Sequence, residues 1–446
     1  MPAATFKVEI SWQSAASGTF KLDISQLDGG SILDGTGVVD FAGTYDDVTA
    51  DVESIHIRRG RDDALKDIQA GECEIVLFHP SNFDYYNPNA PGGIAPINSV
   101  QPGFDPMRPV RISATYNATT YYLFFGYIRS ADWDSTTKRT RINAVDTFLW
   151  LSRITPLVNS TTVANAGVTN TSTMIGHVLD YAGFTDATKR NLDTPGDTIT
   201  SGMLSSSQYS GNTTALNIIQ DFLASERGVA YVKGNGTFRY RTRVARYQTN
   251  SSATIGYGQL RYGSAIDLDR IINRQTVAKQ DNTGTTTFTA GPVIDALSQV
   301  TYGVGDAGIL STQYLATNAA ATGLANFLLK QKSTPQPPIS LVVDNQDDAT
   351  ILLQLGLELG DRITAPLSYS KFTFGVSTFD GIDLFAGNSD FHVEQIEHTI
   401  SDAGIYHTTT LLLSQRGAEV LRFGNLPVGT DYSPSQFGST SAAFAY

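Results

Sequence analysis

The densest group of side chains able to bind a metal lies near the C-terminal end of the chain. Two histidines and two glutamates fall within residues 392–398, and His407 follows. If residues 401–404 form a four-residue turn, His398 faces His407 across a β-hairpin, where the pair could hold zinc or respond to pH. Isoleucines share that face, so a packed histidine pair is the plainer interpretation. We expect no metal and no cofactor, with His398 and His407 as the candidate ligands if a metal is bound.

A second group consists of three arginines spaced two residues apart, Arg239, Arg241 and Arg243. Because the side chains of a strand alternate between its faces, all three share one face of a strand. The whole chain has 31 basic and 43 acidic residues, a formal net charge of −12. It therefore lacks the broad basic field of nucleic-acid-binding proteins. A protein interface or a solvated face is the better interpretation of these arginines.

The segment Gly303–Gly308, GVGDAG, matches the glycine spacing of dinucleotide-binding loops. In such proteins the loop belongs to a repeated βαβ fold, and an acidic residue follows about 20 positions later. Here no βαβ repetition follows, and Leu328 and Leu329 occupy those positions. We interpret the segment as a glycine-rich turn.

The sequence contains no other catalytic pattern that we recognise. G-x-S-x-G, H-E-x-x-H, P-loop and EF-hand motifs do not occur in it. Neighbouring carboxylates such as Asp347 and Asp348 point apart on a strand, so adjacency alone does not make an acid/base pair, and we interpret them as solvated turns. The sequence predicts a protein without enzymatic activity.

The elements that position these residues belong to a globular chain of several domains. Of the 446 residues, 41% are hydrophobic and 17% are charged, and at about 100–200 residues per domain this length indicates two to four domains. No apolar stretch is long enough to span a membrane, and the N-terminus does not resemble a signal peptide. The single cysteine, Cys73, excludes an intrachain disulfide.

Charge divides the chain into three parts. Residues 1–155 carry 13 basic and 19 acidic side chains, residues 156–255 carry 8 and 6, and residues 256–446 carry 10 and 18. The middle part, at +2, differs in sign from the flanks at −6 and −8. This predicts a domain inserted between two acidic ones, although chance can produce the same split in a chain with few charges.

Both flanks alternate apolar and polar residues as half-buried strands do. The predicted strands are 6–12, 72–78, 120–128 and 139–145, with an extended segment at 40–57, and then 271–277, 285–288, 339–343, 362–365, 391–400 and 406–413. A helix over about 311–332 interrupts the second flank, and a Ser-, Gly- and Pro-rich arm follows residue 424.

The middle part has the period of helices instead. Ser172 or Thr173 can cap a first helix, and a second helix follows Asn212 and ends at Gly228. A hairpin with its turn at 234–236 comes next. These elements predict a small α+β domain.

A long loop at 79–106 carries four aromatic residues, Phe83, Tyr85, Tyr86 and Phe104. The loop is too rich in Pro and Asn to be a core element, and connections of this length are usually functional or packed against a neighbour. Aromatic residues are enriched at protein interfaces. We therefore expect the loop to pack against another subunit, with folding back onto its own domain as the alternative.

Several short motifs follow one another in an order that resembles the minor tail proteins of long-tailed bacteriophages. They are Arg58–Arg61 (RRGR), Gln69–Leu77 (QAGECEIVL), Asp84–Pro88 (DYYNP), Pro109–Ile112 (PVRI), Leu123–Ile128 (LFFGYI), Leu357–Ile363 (LELGDRI) and a closing hairpin over Val393–Leu413. The resemblance covers most of residues 40–415. It rests on the order of the motifs, because each motif alone is short.

That family forms the hub of the tail tip or baseplate. The resemblance implies a mainly β chain with two β-barrel-like tube domains, at 1–155 and 256–424, that flank an inserted α+β domain at 156–255. A C-terminal arm at 425–446 completes the chain. The resemblance also implies a homotrimer whose six tube domains form a ring between the hexameric tail tube and the threefold tip.

The resemblance implies partners and a location as well. The partners are the distal tail protein or tail tube ring, the tape measure protein, and fibre or plug proteins of the tip. Genomic DNA would pass through the lumen without specific binding, which fits acidic tube domains. The expected location is the tail tip of the virion, after assembly in the bacterial cytoplasm. Larger hubs continue into fibre or lytic domains, and little sequence follows the second flank here, so no lytic role is expected.

A β-rich protein that binds or acts on glycans is the alternative class. The chain has 20 Tyr and 3 Trp, and exposed aromatic side chains could line a glycan groove. Most of them occupy alternating strand positions typical of a core, which favours the hub. A stable trimer would support the hub, and a monomer with glycan affinity would support the alternative.

Overall fold

The chain is mainly β with an α+β insertion, as predicted, and its largest element is a sheet of twelve strands. The computed structural model describes residues 4–11, 45–62, 68–83, 85–87, 106–155, 170–193, 213–243, 245, 251–255, 271–280, 285–312, 314–315, 317–333, 339–366 and 388–415. The strands of the large sheet are β1 (Thr5–Ile10), β2 (Asp46–Asp47), β3 (Val52–Gly60), β4 (Gln69–Leu77), β5 (Pro109–Tyr116), β6 (Thr119–Asp134), β7 (Arg139–Val145), β11 (Ser251–Thr254), β15 (Ile339–Asp344), β16 (Arg362–Pro366), β17 (Asn388–Ser401) and β18 (Tyr406–Gln415).

Strands from both flanks share this sheet. The order is β11-β16-β17-β3-β4-β7-β6-β5-β1-β2, and β18 pairs with β17 on one side and with β15 on the other. The flanks join where β3 runs antiparallel to β17, with Gly60 opposite Gln395 and Ser54 opposite Ser401. Strand β11, from the end of the predicted insertion, pairs with β16 of the second flank. The division into domains at 155 and 255 stays a prediction.

Alternation explains why these segments are strands. In β4, Cys73, Ile75 and Leu77 are all buried while their neighbours are half-buried or exposed. They pack in a core with residues of β1, β5 and β6. Strand β7 has its predicted bounds, whereas β6 continues beyond its predicted end to Asp134. The apolar face of the first flank therefore lies inward along the sheet.

The insertion contains two helices and a second sheet. These are α2 (Thr171–Tyr181), α3 (Ala215–Glu226) and the strands β8 (Arg190–Leu192), β9 (Val229–Val232) and β10 (Phe238–Arg241), in the order β8-β10-β9. The predicted caps are wrong. Asn170, not Ser172 or Thr173, caps α2, because its side chain accepts a hydrogen bond from the Thr173 amide. Helix α3 ends at Glu226, and its C-cap is Arg227 in the left-handed conformation (φ 60°), one residue before the predicted end at Gly228.

A third sheet forms a small unit in the second flank. Its strands are β12 (Arg274–Gln280), β13 (Thr286–Ile294) and β14 (Asp306–Thr312), with β12 in the centre. Helix α5 (Asn318–Lys332) packs on one side through Leu324, Ala325 and Leu328. The predicted start of this helix at 311 is wrong, because residues 306–312 run parallel to β12 as a strand and Thr317 caps the helix.

Three short helices escaped the sequence prediction, namely α1 (Thr147–Arg153), α4 (Ala296–Tyr302) and α6 (Asp348–Gly356). Each begins after an aspartate whose carboxylate accepts a backbone hydrogen bond. For α6 this residue is Asp347, which forms a capping box with Thr350. Asp347 and Asp348 are thus the start of a helix and not a solvated turn. Across the described residues, no helix has both the length and the apolar character needed to cross a bilayer.

Candidate assembly sites

The two candidate histidines lie in contact, although in a different register from the predicted one. Residues 402–405 separate β17 from β18, so His398 stands opposite Thr409 and Ile400 stands opposite His407. The histidines meet diagonally, with Nδ1 of His398 3.1 Å from Nε2 of His407. The Thr409 hydroxyl lies 2.9 Å and 3.2 Å from the same two nitrogens.

This histidine pair is buried and electrically neutral. Burial lowers the pKa of His398 well below its usual value, with the neighbouring His407 and Arg59 acting in the same direction. Burial also lowers the pKa of His407 to about 4. Phe6 packs edge-on against His407, and Gln354 of α6 donates a hydrogen bond to its carbonyl oxygen. The pair therefore acts as a packed, uncharged link between β17, β18 and their neighbours.

The glutamates of this region do not join the two candidate histidines in one group. Glu394 accepts a hydrogen bond from the Arg61 guanidinium at 2.8 Å and another from the Ser414 hydroxyl. The ring nitrogens of the histidine pair meet each other and the Thr409 hydroxyl instead. In the part of the chain that the structure describes, no three His, Cys, Asp or Glu side chains are grouped to hold a metal ion.

The three arginines make their contacts within the chain. Arg239 forms an ion pair with Asp193 at 2.5 Å, and Arg243 lies 5.0 Å above the ring of Phe327. Arg241 is buried and donates a hydrogen bond to the Gly360 carbonyl oxygen at 2.8 Å. Arg241 and Arg243 therefore connect the insertion with the second flank, whereas the ion pair of Arg239 lies within the insertion. A role of the three arginines in binding another protein stays a prediction.

The motif at 58–61 forms part of a buried ionic junction. Arg59 pairs with Glu358 at 2.6 Å and donates a hydrogen bond to the Val232 carbonyl oxygen at 3.3 Å. Glu358 also accepts a hydrogen bond from the Gly234 amide at 3.0 Å. One ion pair thereby connects three distant parts of the sequence: β3, the β9–β10 hairpin and the loop that follows α6.

Gly60 explains why a glycine stands between two arginines of this motif. Its φ is +112°, and a Cβ there would overlap the carbonyl oxygen of Glu394. Only glycine combines that conformation with this close approach of two strands. Arg61, the next residue, forms its own buried ion pair with Glu394 at 2.8 Å. The glycine thus lets β3 and β17 meet closely between two arginine–glutamate pairs.

Two other motifs meet at the same junction. The Gly71 amide donates a hydrogen bond to Asp146 at 2.7 Å, and a Cβ on Gly71 would lie 3.0 Å from the Arg59 side chain. Burial raises the pKa of Asp146 to about 7, against the opposing effect of two backbone N–H donors and Arg59. Gly360, at φ +75°, presents its carbonyl oxygen to Arg241. These motifs are separate in the sequence, and the fold brings them together.

The aromatic loop is divided between burial and exposure. Tyr86 is buried, and its hydroxyl donates a hydrogen bond to Asp51 at 2.6 Å. Tyr85 stacks edge-on against Tyr86 at 4.9 Å and is partly buried in the core of the first flank. Phe83, in contrast, is 54% exposed. These two tyrosines follow the fold-back alternative, so an interface role remains a prediction for Phe83, and Phe104 lies outside the described residues.

A concentration of exposed apolar side chains among the described residues was not predicted from the sequence. Of eleven exposed large apolar side chains among the described residues, six lie between residues 294 and 309. We call them the 294–309 surface, and they are Ile294, Leu297, Val300, Tyr302, Val304 and Ile309. Residues 285–312 contain only two charged side chains, both aspartates. This local lack of charge is the signal that could have revealed the surface.

The GVGDAG segment lies within this surface. Gly303 follows α4 with φ +82°, and β14 begins three residues later, at Asp306. The first half of the segment therefore leads into a strand and not into the helix that a dinucleotide site requires. The interpretation as a glycine-rich turn fits residues 303–305, whereas residues 306–308 are the first residues of β14.

No protein-family model and no curated protein sequence matches this chain. Among solved structures, the tail protein from Neisseria meningitidis MC58 matches with a TM-score of 0.52 at 11% identity, over 93% of this chain and 97% of that one. The 43 kDa tail protein of prophage MuSo2 from Shewanella oneidensis and the prophage tail protein gp18 from Listeria monocytogenes EGD-e follow at 0.48 and 0.47, each at 11% identity, over 93% of this chain and 99% and 96% of theirs.

The first of these likenesses shows a common fold over nearly the whole chain. The chain therefore has the mainly β fold of a tail protein, as the family resemblance implies, and the bounds of its domains stay a prediction.

Proposed function

We propose that this protein is a structural component of a bacteriophage tail. The observation that carries the proposal is the fold shared over 93% of the chain with a tail protein. The junction adds to it, because several of the motifs behind the family resemblance meet there around Arg59 and Gly60. Those motifs thus hold the flanks and the insertion in one arrangement.

Within the tail, the proposed position is the hub of the tail tip. Three copies would form a ring that joins the hexameric tail tube to the threefold tip and surrounds part of the DNA ejection conduit. The acidic flanks, at −6 and −8, support this position, because a negative wall does not hold the phosphates that pass it. The proposed partners are the distal tail protein or tube ring, the tape measure protein and the tip fibre or plug proteins.

The proposed role requires no catalysis. The perturbed carboxyl group of Asp146 accepts hydrogen bonds from the Gly71 and Phe148 amides and caps α1, so it serves the fold. The glycan alternative would need exposed aromatic side chains, and the large ones that are exposed among the described residues are Phe83, Tyr122, Tyr302 and Tyr406.

Measuring the mass of the purified chain in solution tests the proposed hub. Sedimentation or light scattering should give three times the mass of one chain, stable on dilution. A chain that is monomeric at all concentrations would contradict the trimeric hub.

Incubating the protein with peptidoglycan or capsular polysaccharide should give no turnover. Turnover that disappears with a single carboxylate-to-amide substitution would contradict a purely structural role.

A further inference from the structure

We infer that the 294–309 surface is the contact through which one copy of this chain binds a second copy. The inference rests on the proposed trimer and adds to it the part of the molecule that makes the contact. The surface is centred on α4, where Leu297 and Val300 are 78% and 85% exposed. They stand three residues apart and thus share one side of the helix.

The size of the surface fits a stable interface. Fully burying a Leu, Ile or Val side chain removes roughly 60–120 Å² of apolar area from water. Scaled by their exposed fractions, the six side chains present on the order of 400 Å² of apolar area. A standard interface covers about 800 Å² on each partner, and somewhat more than half of that area is apolar. The 294–309 surface therefore supplies about the apolar share that one such interface needs.

Charge favours a second copy as the occupant. The chain carries a net charge of −12, so two copies repel each other wherever their acidic surfaces approach. Within residues 285–312 the only charged side chains are Asp295 and Asp306. Asp295 caps α4, and Asp306 pairs with Arg274 at 3.2 Å. In a ring of three copies this region would face a different part of the next copy. It repels an acidic neighbour little, and it offers no charge complementarity to a basic partner.

Backbone groups beside the surface are available for the same contact. In the described part of the chain, β13 and β14 each pair with β12 alone and form the two edges of the small sheet. An edge strand presents unpaired N–H and C=O groups that can pair with a neighbouring chain. Helix α5 covers one face of this sheet, whereas Ile309 of β14 is exposed. Apolar side chains and a free strand edge thus occur together.

The test introduces charge into the surface of the full-length chain. The variant Leu297→Asp/Val300→Asp places two carboxylates on α4, and the control Ile405→Asp/Tyr406→Asp places two at the β17–β18 turn, where the side chains are 62% and 64% exposed. Mass is measured by light scattering at one protein concentration. Circular dichroism and the melting temperature of each variant show whether the fold is retained.

We expect the α4 variant to fall from three chains to one while the control remains a trimer. A trimeric α4 variant would overturn the inference and leave the proposed hub intact. Equal dissociation of both variants would also overturn it, because the contact would then not be specific to this surface. If the unmodified chain is monomeric, both the inference and the trimeric hub fail.

Discussion

At the scale of single residues, Arg59 carries the connection between distant parts of the chain. Its side chain is 3% exposed, and its partner Glu358 follows 299 residues later. An ion pair taken out of water is costly when one charge loses its partner, because the other remains buried and uncompensated. The pair therefore sets how β3, the insertion and the second flank are placed relative to one another.

We predict that Arg59→Met lowers the free energy of unfolding by up to about 3–5 kcal/mol, the cost of breaking a fully buried pair, because the Glu358 side chain left without its partner is only 20% exposed. The matched control is Arg141→Met, which removes an exposed pair with Glu74 at 3.4 Å. An exposed pair contributes less than about 1 kcal/mol. Urea unfolding of both variants gives the comparison. Equal losses of unfolding free energy in the two variants would show that the Arg59–Glu358 pair contributes no more than an exposed pair.

The histidine pair predicts a dependence of stability on pH. In the folded chain the pKa of His407 is about 4, against 6.5 for an ordinary histidine. Between these values the unfolded chain binds a proton that the folded chain does not bind, so stability is full above pH 6.5 and is lost as the pH falls toward 4. The loss from His407 alone is on the order of 3 kcal/mol. His398, whose pKa is also lowered, acts in the same direction.

Replacing the titrating group isolates this effect from that of the carboxylates. The variant His407→Gln keeps a polar side chain that does not titrate. Urea unfolding at several pH values between 7.5 and 4.5 should give a weaker pH dependence for the variant than for the unmodified chain. If the unfolding free energy changed equally with pH in both proteins, the histidine pair would have to be hydrated or already charged in the folded state.

At the scale of elements, the β9–β10 hairpin shows how the insertion contacts the first flank. Gly234 lies against the backbone of β6, and a Cβ at this position would overlap the carbonyl oxygen of Tyr122. Gly236, at φ +83°, lies against the ring of Phe125. The turn thus fits only when both glycines are present, so the contact with β6 requires the sequence GNG.

We predict that Gly234→Ala destabilises the protein by about 1–3 kcal/mol, because the added methyl group must move the hairpin away from β6. Gly356→Ala is the control, since a Cβ at that position would have no other atom within 4 Å. In a helix, that change is neutral or stabilising by up to about 1 kcal/mol. Thermal unfolding of both variants distinguishes two effects on stability. Both variants lose a glycine, but only Gly234→Ala introduces a clash with β6. A neutral Gly234→Ala would show that the hairpin does not contact β6 this closely.

Alternation of apolar residues made some elements predictable and left others hidden. Strand β7 has its predicted bounds because its pattern is strong and its ends are marked by turn residues. Helices α4 and α6 have seven and nine residues, too few for a helical period to stand out. The end of β14 falls within the predicted helix, because only the pairing with β12 makes these residues a strand.

How well each candidate site could be predicted depended on whether its contacts are local in the sequence. The sequence placed His398 and His407 in one hairpin, because their contact is local. It could not pair Arg59 with Glu358, since contacts across hundreds of residues leave no periodic trace. The 294–309 surface was missed because the length of α4 hides which side of it is exposed.

At the scale of the whole molecule, one sheet made from both flanks supports an insertion and a small unit with an exposed apolar surface. The proposed hub assigns a role to each: the acidic flanks surround the conduit, the junction fixes the insertion, and the 294–309 surface joins neighbouring copies.

The flanks would then form the inner wall, so cross-links placed in residues 156–255 should not cross the lumen. Cross-links between those residues through the pore would contradict this arrangement.

The central claim is that the chain is a ring-forming part of the tail tip, and imaging of the assembled tail tests it most directly. Electron microscopy of tails that carry an affinity tag on this chain should place the tag at the distal end of the tube. Averaged images of that end should have threefold symmetry, with three copies of the chain. Tags along the tube, at the head or absent from the particle, or a tip without threefold symmetry, would contradict the account.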